Sequence, residues 1–219
     1  MRLSNLLFDL DGTLTDPKPG ISRCIQYALA ELGLAPPEPD ALEWCIGPPL
    51  AQSFARLLAT DDAQQIGRAV GLYRERFARV GLFENRVYPG IPELLAGLRQ
   101  RGFRLFLATA KPQVFAERIV AHFQLVDFFE AAFGSALSGH LTDKPSLVRH
   151  ILDTTGLDPA RTMIIGDRKY DLLGGRVNHL WTGAVTYGYG TEEELRQAGA
   201  DLYFHSPQQV GNVLLDHHH

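Results

Sequence analysis

The stretch Leu6-Leu7-Phe8-Asp9-Leu10-Asp11-Gly12-Thr13 decides how the rest of the chain is read. Its opening apolar run is too short for a helix and ends in two carboxylates two positions apart. Such a run fits a strand buried on both faces, as in a parallel sheet. Asp9 and Asp11 then stand at the strand end, and Gly12 permits the turn that lets both face one crevice. Paired carboxylates in unlike surroundings can divide labour, one held ionised by cations while the other keeps a proton. Taken alone, the string reads equally well as an Asx-type turn or a helix cap.

Working outward, the same punctuation recurs. Residues 103–108 lead to Thr109, residues 162–165 lead to Gly166-Asp167, and further apolar runs occupy 183–187 and 202–204. Helical patterns lie between them at 92–101, 114–123, 146–155 and 192–198, with Gly102, Gly156 and Gly199 where C-terminal caps belong. Strand and helix in alternation predict an α/β fold with a doubly wound parallel sheet. Residues 16–86 differ, with helical repeats at Ile21, Ile25, Ala28, Leu29 and Leu32, at Leu50, Phe54, Leu57 and Leu58, and at Val70, Tyr73 and Phe77. Pro36-Pro37-Glu38-Pro39 and Gly47-Pro48-Pro49 separate them. The expected organisation is a core of 1–15 with 87–216, a small all-helical cap at 16–86 inserted after the first strand, and a purification-tag remnant at 217–219. An insertion there sits over the carboxyl ends of the strands, where open α/β sheets bind ligands.

Bulk properties narrow the function. A net charge of −4, with no basic run, argues against a nucleic-acid backbone or an anionic membrane as partner. No apolar run approaches the roughly 20 residues of a membrane helix, and the N-terminus lacks a signal-peptide layout. Cys24 and Cys45 form no ligand cluster and read as buried thiols of a reducing compartment, so the expected location is cytoplasmic.

The chemistry-bearing residues cluster at predicted strand ends. Gly166-Asp167-Arg168-Lys169-Tyr170-Asp171 adds two carboxylates. Magnesium takes oxygen ligands, commonly one or two carboxylates with water and substrate phosphate. Asp9 and Asp167 suit it, with the Asp11 backbone carbonyl as a further oxygen. Thr109 offers a hydroxyl and an N–H to phosphate oxygens. Lys144, before Pro145 at a helix start, can neutralise phosphate and hold Asp9 ionised.

These four elements in this order resemble the haloacid dehalogenase superfamily, with Asp9-x-Asp11-Gly12-Thr13, Thr109, Lys144, and Gly166-Asp167 with Asp171 as its four motifs. Val87-Tyr88-Pro89-Gly90-Ile91 is similar to the family's return from a helical cap into the core. The resemblance implies a Mg2+-dependent phosphatase acting on a small phosphorylated metabolite. In it Asp9 is the nucleophile, Asp11 the acid–base, and Thr109 and Lys144 stabilise charge, while Asp171 orients Lys144 or a metal-bound water. Asp11 disfavours dehalogenation and phosphonate cleavage. A sugar phosphomutase and a non-catalytic phospho-ligand binder stay open. Asp16-Pro17-Lys18-Pro19-Gly20-Ile21, Ile46-Gly47-Pro48-Pro49-Leu50 and Tyr187-Gly188-Tyr189-Gly190 resemble a bacterial 5'-nucleotidase-like or phosphoglycolate phosphatase-like group. Within it Gly47, Pro48 and Lys111 are the substrate-contact candidates. Residues 172–179 are more polar than the family pattern at Arg176 and His179, which questions how that helix packs.

Overall fold

The computed structural model describes residues 3–216; His217-His218-His219, read above as a tag remnant, lie outside them. The chain divides into two compact units, one built from residues up to Thr15 and from Val87 onward, the other from Asp16–Arg86. The strand β1 (Asn5–Phe8) opens the first unit, and the chain passes between units within the short strands β2 (Thr15–Asp16) and β3 (Arg86–Val87).

The second unit is helical, with α1 (Lys18–Glu31), α2 (Leu50–Leu58) and α3 (Ala63–Arg79). Its core is the apolar stripe of each helix: Ile21, Cys24, Ile25, Ala28 and Leu29 on α1, Phe54 on α2, and Ala69, Tyr73 and Phe77 on α3. Phe54 meets Tyr73 edge-on at 6.3 Å, and Tyr73 stacks on Phe77 at 5.4 Å. The proline-rich separator carries a 3-10 helix, Pro39–Cys45, which periodicity does not reveal because its turns are too tight for the 3.6-residue repeat.

In the first unit follow α4 (Ile91–Gln100), β4 (Arg104–Pro112), α5 (Gln113–His122), β5 (Ala131–Ser135), α6 (Lys144–Thr155), β6 (Thr162–Gly166), α7 (Lys169–Val177), β7 (Trp181–Val185), α8 (Glu192–Ala198), β8 (Leu202–Phe204) and α9 (Pro207–Asp216). Six strands form one sheet in the order β5-β4-β1-β6-β7-β8, and every pair is parallel. Counted within the sheet, the order is 3-2-1-4-5-6, so the winding reverses between β1 and β6. That is where an open sheet leaves a crevice beyond its carboxyl ends. All of β1 is buried. On one face Leu7, Phe106, Ala108 and Ile164 pack against Leu147, Val148 and Ile151 of α6.

Several elements differ from the sequence reading. β5 is Ala-Ala-Phe-Gly-Ser, with no strand pattern of its own; it forms because β4 offers an unpaired edge, pairing Phe106 with Ala131 and Ala108 with Phe133. β4 does not end at Thr109 but runs to Pro112, with a register shift after Ala108. β7 stops at Val185, which leaves Tyr187 in the following loop. Helix α7 packs through Leu172, Gly174, Gly175 and Asn178, while Arg176 and His179 are exposed. Arg176 and His179 therefore face solvent and do not interrupt the buried side of the helix.

Candidate active site

The site assembles around the end of β1. The Asp9 N–H donates to the Ile165 carbonyl at 3.0 Å, carrying the ladder one residue past the strand. Asp9 is thereby fixed beside β6. The chain then turns at Gly12, whose φ of +82° is left-handed, and the Gly12 N–H donates to Thr15 O at 2.7 Å. On the neighbouring β4, Thr109 is buried, and its hydroxyl accepts from the Lys111 N–H at 3.2 Å. Opposite, Asp143 caps α6 by accepting from the Ser146 N–H at 2.9 Å. That cap, with Pro145 in the first turn, places Lys144 at the helix start.

Lys144 is 4% exposed, and its Nζ contacts three oxygens. It donates to Asp9 Oδ1 and to the Ala108 carbonyl, each at 2.8 Å. It also lies 2.6 Å from Asp171 Oδ1, an ion contact outside hydrogen-bond alignment. Burial alone would lower the lysine's pKa, but Asp171 and Asp9 outweigh it and raise it, so the ammonium is held charged. Asp171 does two jobs. Its other oxygen accepts from the Arg168 N–H at 3.1 Å, capping α7, while Oδ1 faces Lys144. The space is made by glycines. A Cβ on Gly174 would sit 2.7 Å from Lys144 Cγ, and one on Gly166 would sit 2.1 Å from Asp171 Cγ.

Asp11 pairs with Lys111, Oδ2 to Nζ at 2.8 Å, and the Lys111 side chain is only 6% exposed. Burial nevertheless holds the Asp11 carboxyl above its ordinary value, with Lys111 offsetting only part of the rise. Asp167 is wholly buried. Its Oδ2 accepts from the Tyr189 N–H at 2.7 Å, while Oδ1, like Asp11 Oδ1, is buried with no hydrogen-bond partner. Burial raises the Asp167 carboxyl well above the usual range, and Asp9 and Asp171 push it further.

One carboxylate oxygen each of Asp9, Asp167 and Asp171 lie within 4.8 Å of one another. Four carboxylates thus converge where two lysines supply the positive charge. An ionised carboxylate oxygen with no partner is costly to bury. A hard divalent cation, which takes oxygen ligands, is the group that this donor set and the orphaned Asp167 Oδ1 fit.

The structure therefore gathers Asp9, Asp11, Thr109, Lys144, Asp167 and Asp171 at adjacent carboxyl ends of the sheet. Lys111 is held on Asp11. Gly47 and Pro48 belong to the other unit, ahead of α2. His122, His140, His150 and His205 are exposed. Sequence reasoning missed the Ala108 carbonyl, which no side-chain pattern can announce. It also missed the Tyr189 N–H, whose signal was the glycines of Tyr187-Gly188-Tyr189-Gly190.

A family model described as haloacid dehalogenase-like hydrolase matches residues 6–185. A Pseudomonas aeruginosa protein named 5'-nucleotidase is 50% identical over 99% of this chain and 98% of its own. A Caulobacter vibrioides phosphoglycolate phosphatase is 31% identical, covering 93% of this chain and 87% of its own. Among solved structures, a predicted phosphatase from Clostridium acetobutylicum superposes with a TM-score of 0.94 at 38% identity, over 99% of this chain and all of that one.

Proposed function

Because this chain belongs to the haloacid dehalogenase-like hydrolase family, we propose that it is a phosphatase that cleaves a small phosphomonoester through a phosphoryl group carried on Asp9, with a nucleoside 5'-monophosphate as substrate. The observation that carries the reading is Asp9 held by Lys144 at 2.8 Å, with a second carboxyl two residues on that burial holds above its ordinary value. A module that only bound a phosphorylated ligand would need no such pair.

Asp9 attacks phosphorus in line, forming the aspartyl P–O bond as the ester P–O bond breaks. Asp11 gives its proton to the departing alkoxide, then takes one from the water that attacks the aspartyl phosphate, releasing phosphate and restoring Asp9. Burial, which keeps that carboxyl above its usual range, suits it to hold the proton first. Lys144 and the Thr109 hydroxyl and N–H face the charge of the transferring oxygens. Asp9 and Asp167, with the Asp11 carbonyl, would hold Mg2+, which supplies electrostatic neutralisation of the phosphoryl group when bound.

The substrate assignment is supported by the 50% identical relative named 5'-nucleotidase. Phosphoglycolate is the second reading, favoured by the relative of that name. Phosphate release with Mg2+ across nucleoside 5'-monophosphates, phosphoglycolate, sugar phosphates and phosphotyrosine decides between them. A nucleotide preference is expected. A phosphoglycolate preference replaces the substrate, and isomerisation of a sugar phosphate without release replaces the reaction.

The burial of the acids has a pH signature. A carboxyl whose folded pKa lies above its unfolded value keeps a proton that the unfolded chain has lost. The stability these two groups contribute is then greatest below the ordinary carboxylate value, 3.8 for Asp11 and Asp167, and falls as pH climbs above it toward the raised values. A cation binds the deprotonated form, so its stabilisation grows over the same window. Chelated protein should melt lower at about pH 8 than at about pH 5, and Mg2+ should restore the loss at pH 8 while adding little at pH 5. Thermal melts with and without chelator check this; equal Mg2+ shifts at both pH values would contradict it.

A further inference from the structure

The loop Tyr187-Gly188-Tyr189-Gly190, between β7 and α8, has no role in the mechanism above, yet it wraps Asp167. The Tyr189 N–H is the donor on Asp167 Oδ2 at 2.7 Å. Both glycines are in forced proximity. A Cβ on Gly188 would lie 2.3 Å from Asp167 Cβ and 2.3 Å from the Gly12 carbonyl, and one on Gly190 would lie 2.0 Å from the Asp167 carbonyl. At its other end the Tyr187 hydroxyl donates to the Thr13 carbonyl at 2.9 Å, and its ring meets Tyr88 edge-on at 5.1 Å. The loop is thus pinned to the turn after Asp9 and Asp11 while it grips the carboxylate that follows β6. With Oδ2 engaged, rotation of the Asp167 carboxylate is restricted, and Oδ1 is the oxygen left unpartnered.

We propose that Tyr187-Gly188-Tyr189-Gly190 is a brace that sets divalent-cation affinity by fixing the orientation of Asp167, with Tyr187 and the Tyr189 N–H as positioning groups. The inference rests on the cation reading given above. Groups that orient a ligand from behind it commonly change metal affinity about 10- to 100-fold when removed. The brace also joins the two carboxylates proposed to share the ion, since it touches the loop after Asp9 and the side chain of Asp167. Loosening it costs the alignment of the pair before it costs the fold.

Tyr187→Phe deletes only the donor to Thr13. Gly188→Ala drives a methyl into Asp167 and the Gly12 carbonyl. Mg2+ binding is measured by titration calorimetry on the full chain without substrate, alongside the Mg2+-induced rise in melting temperature. The parent is expected to bind Mg2+. Tyr187→Phe should then bind it about tenfold more weakly, and Gly188→Ala more weakly still, each with a smaller Mg2+-induced shift. Tyr187→Phe keeps the test informative if Gly188→Ala fails to fold. A parent that binds Mg2+ and a Tyr187→Phe protein that binds it equally well would overturn the brace and leave the function standing. A parent that binds no Mg2+ would overturn the brace and the cation reading on which it rests.

Discussion

Asp9→Asn abolishes phosphate release while the protein stays folded. The amide is a far poorer nucleophile than the carboxylate, so the covalent route closes; loss of a nucleophile in this kind of machinery costs on the order of 10⁵-fold or more. The fold should hold because the replacement is isosteric. The amide keeps an oxygen to accept from Lys144, which donates to the native carboxylate at 2.8 Å, and the backbone bond to Ile165 is untouched. Intact-protein mass spectrometry after acid quench supplies the second readout. The parent should gain one phosphoryl group during turnover, and Asp9→Asn should gain none. An Asp9→Asn protein that still turns over, or a parent labelled elsewhere, would end the case for Asp9 as carrier.

Lys144→Met loses stability and activity together. Its Nζ is the buried cation between Asp9 and Asp171, and Asp171 is only 1% exposed. Removing one partner of a buried ion pair leaves an uncompensated charge and costs about 3–5 kcal/mol. In a chain of this size that lowers the melting temperature on the order of 10 °C. Loss of a preorganised charge donor at the transferring oxygens should cut turnover about 10²- to 10³-fold. Adding Asp171→Asn to Lys144→Met separates the two effects. The double variant should recover part of the stability, because one of the two stranded carboxylates is neutralised, but none of the activity. A Lys144→Met protein as stable as the parent would show that Lys144 is not the counter-ion.

Some of this was legible in order along the chain. Leu6-Leu7-Phe8 had to be a doubly buried strand, and Asp9 had to follow it. The stripes at Ile21 to Leu32 and Leu50 to Leu58 announced helices, and Gly156 and Gly199 marked helix ends with φ of +67° and +69°. β5 was illegible for the opposite reason. Ala131-Ala132-Phe133-Gly134-Ser135 has neither alternation nor branched residues, and only the open edge of β4 makes it a strand. Lys111 is a different case. Two residues past Thr109 it reads as a substrate contact, and nothing in its spacing shows that its ammonium meets Asp11.

Local order along the chain was enough to define the elements and the residue types at their ends, because strand and helix periods, caps and turns are set by neighbours within a few positions. Which ends meet was left to the fold. Lys144 reaches Asp9 across 135 positions, and Asp167 receives the Tyr189 N–H, because parallel strand order places β1 between β4 and β6. The raised carboxyls and the charged buried lysine follow from that meeting. Burial and Coulomb interaction depend on distance in space, which spacing along the chain does not encode.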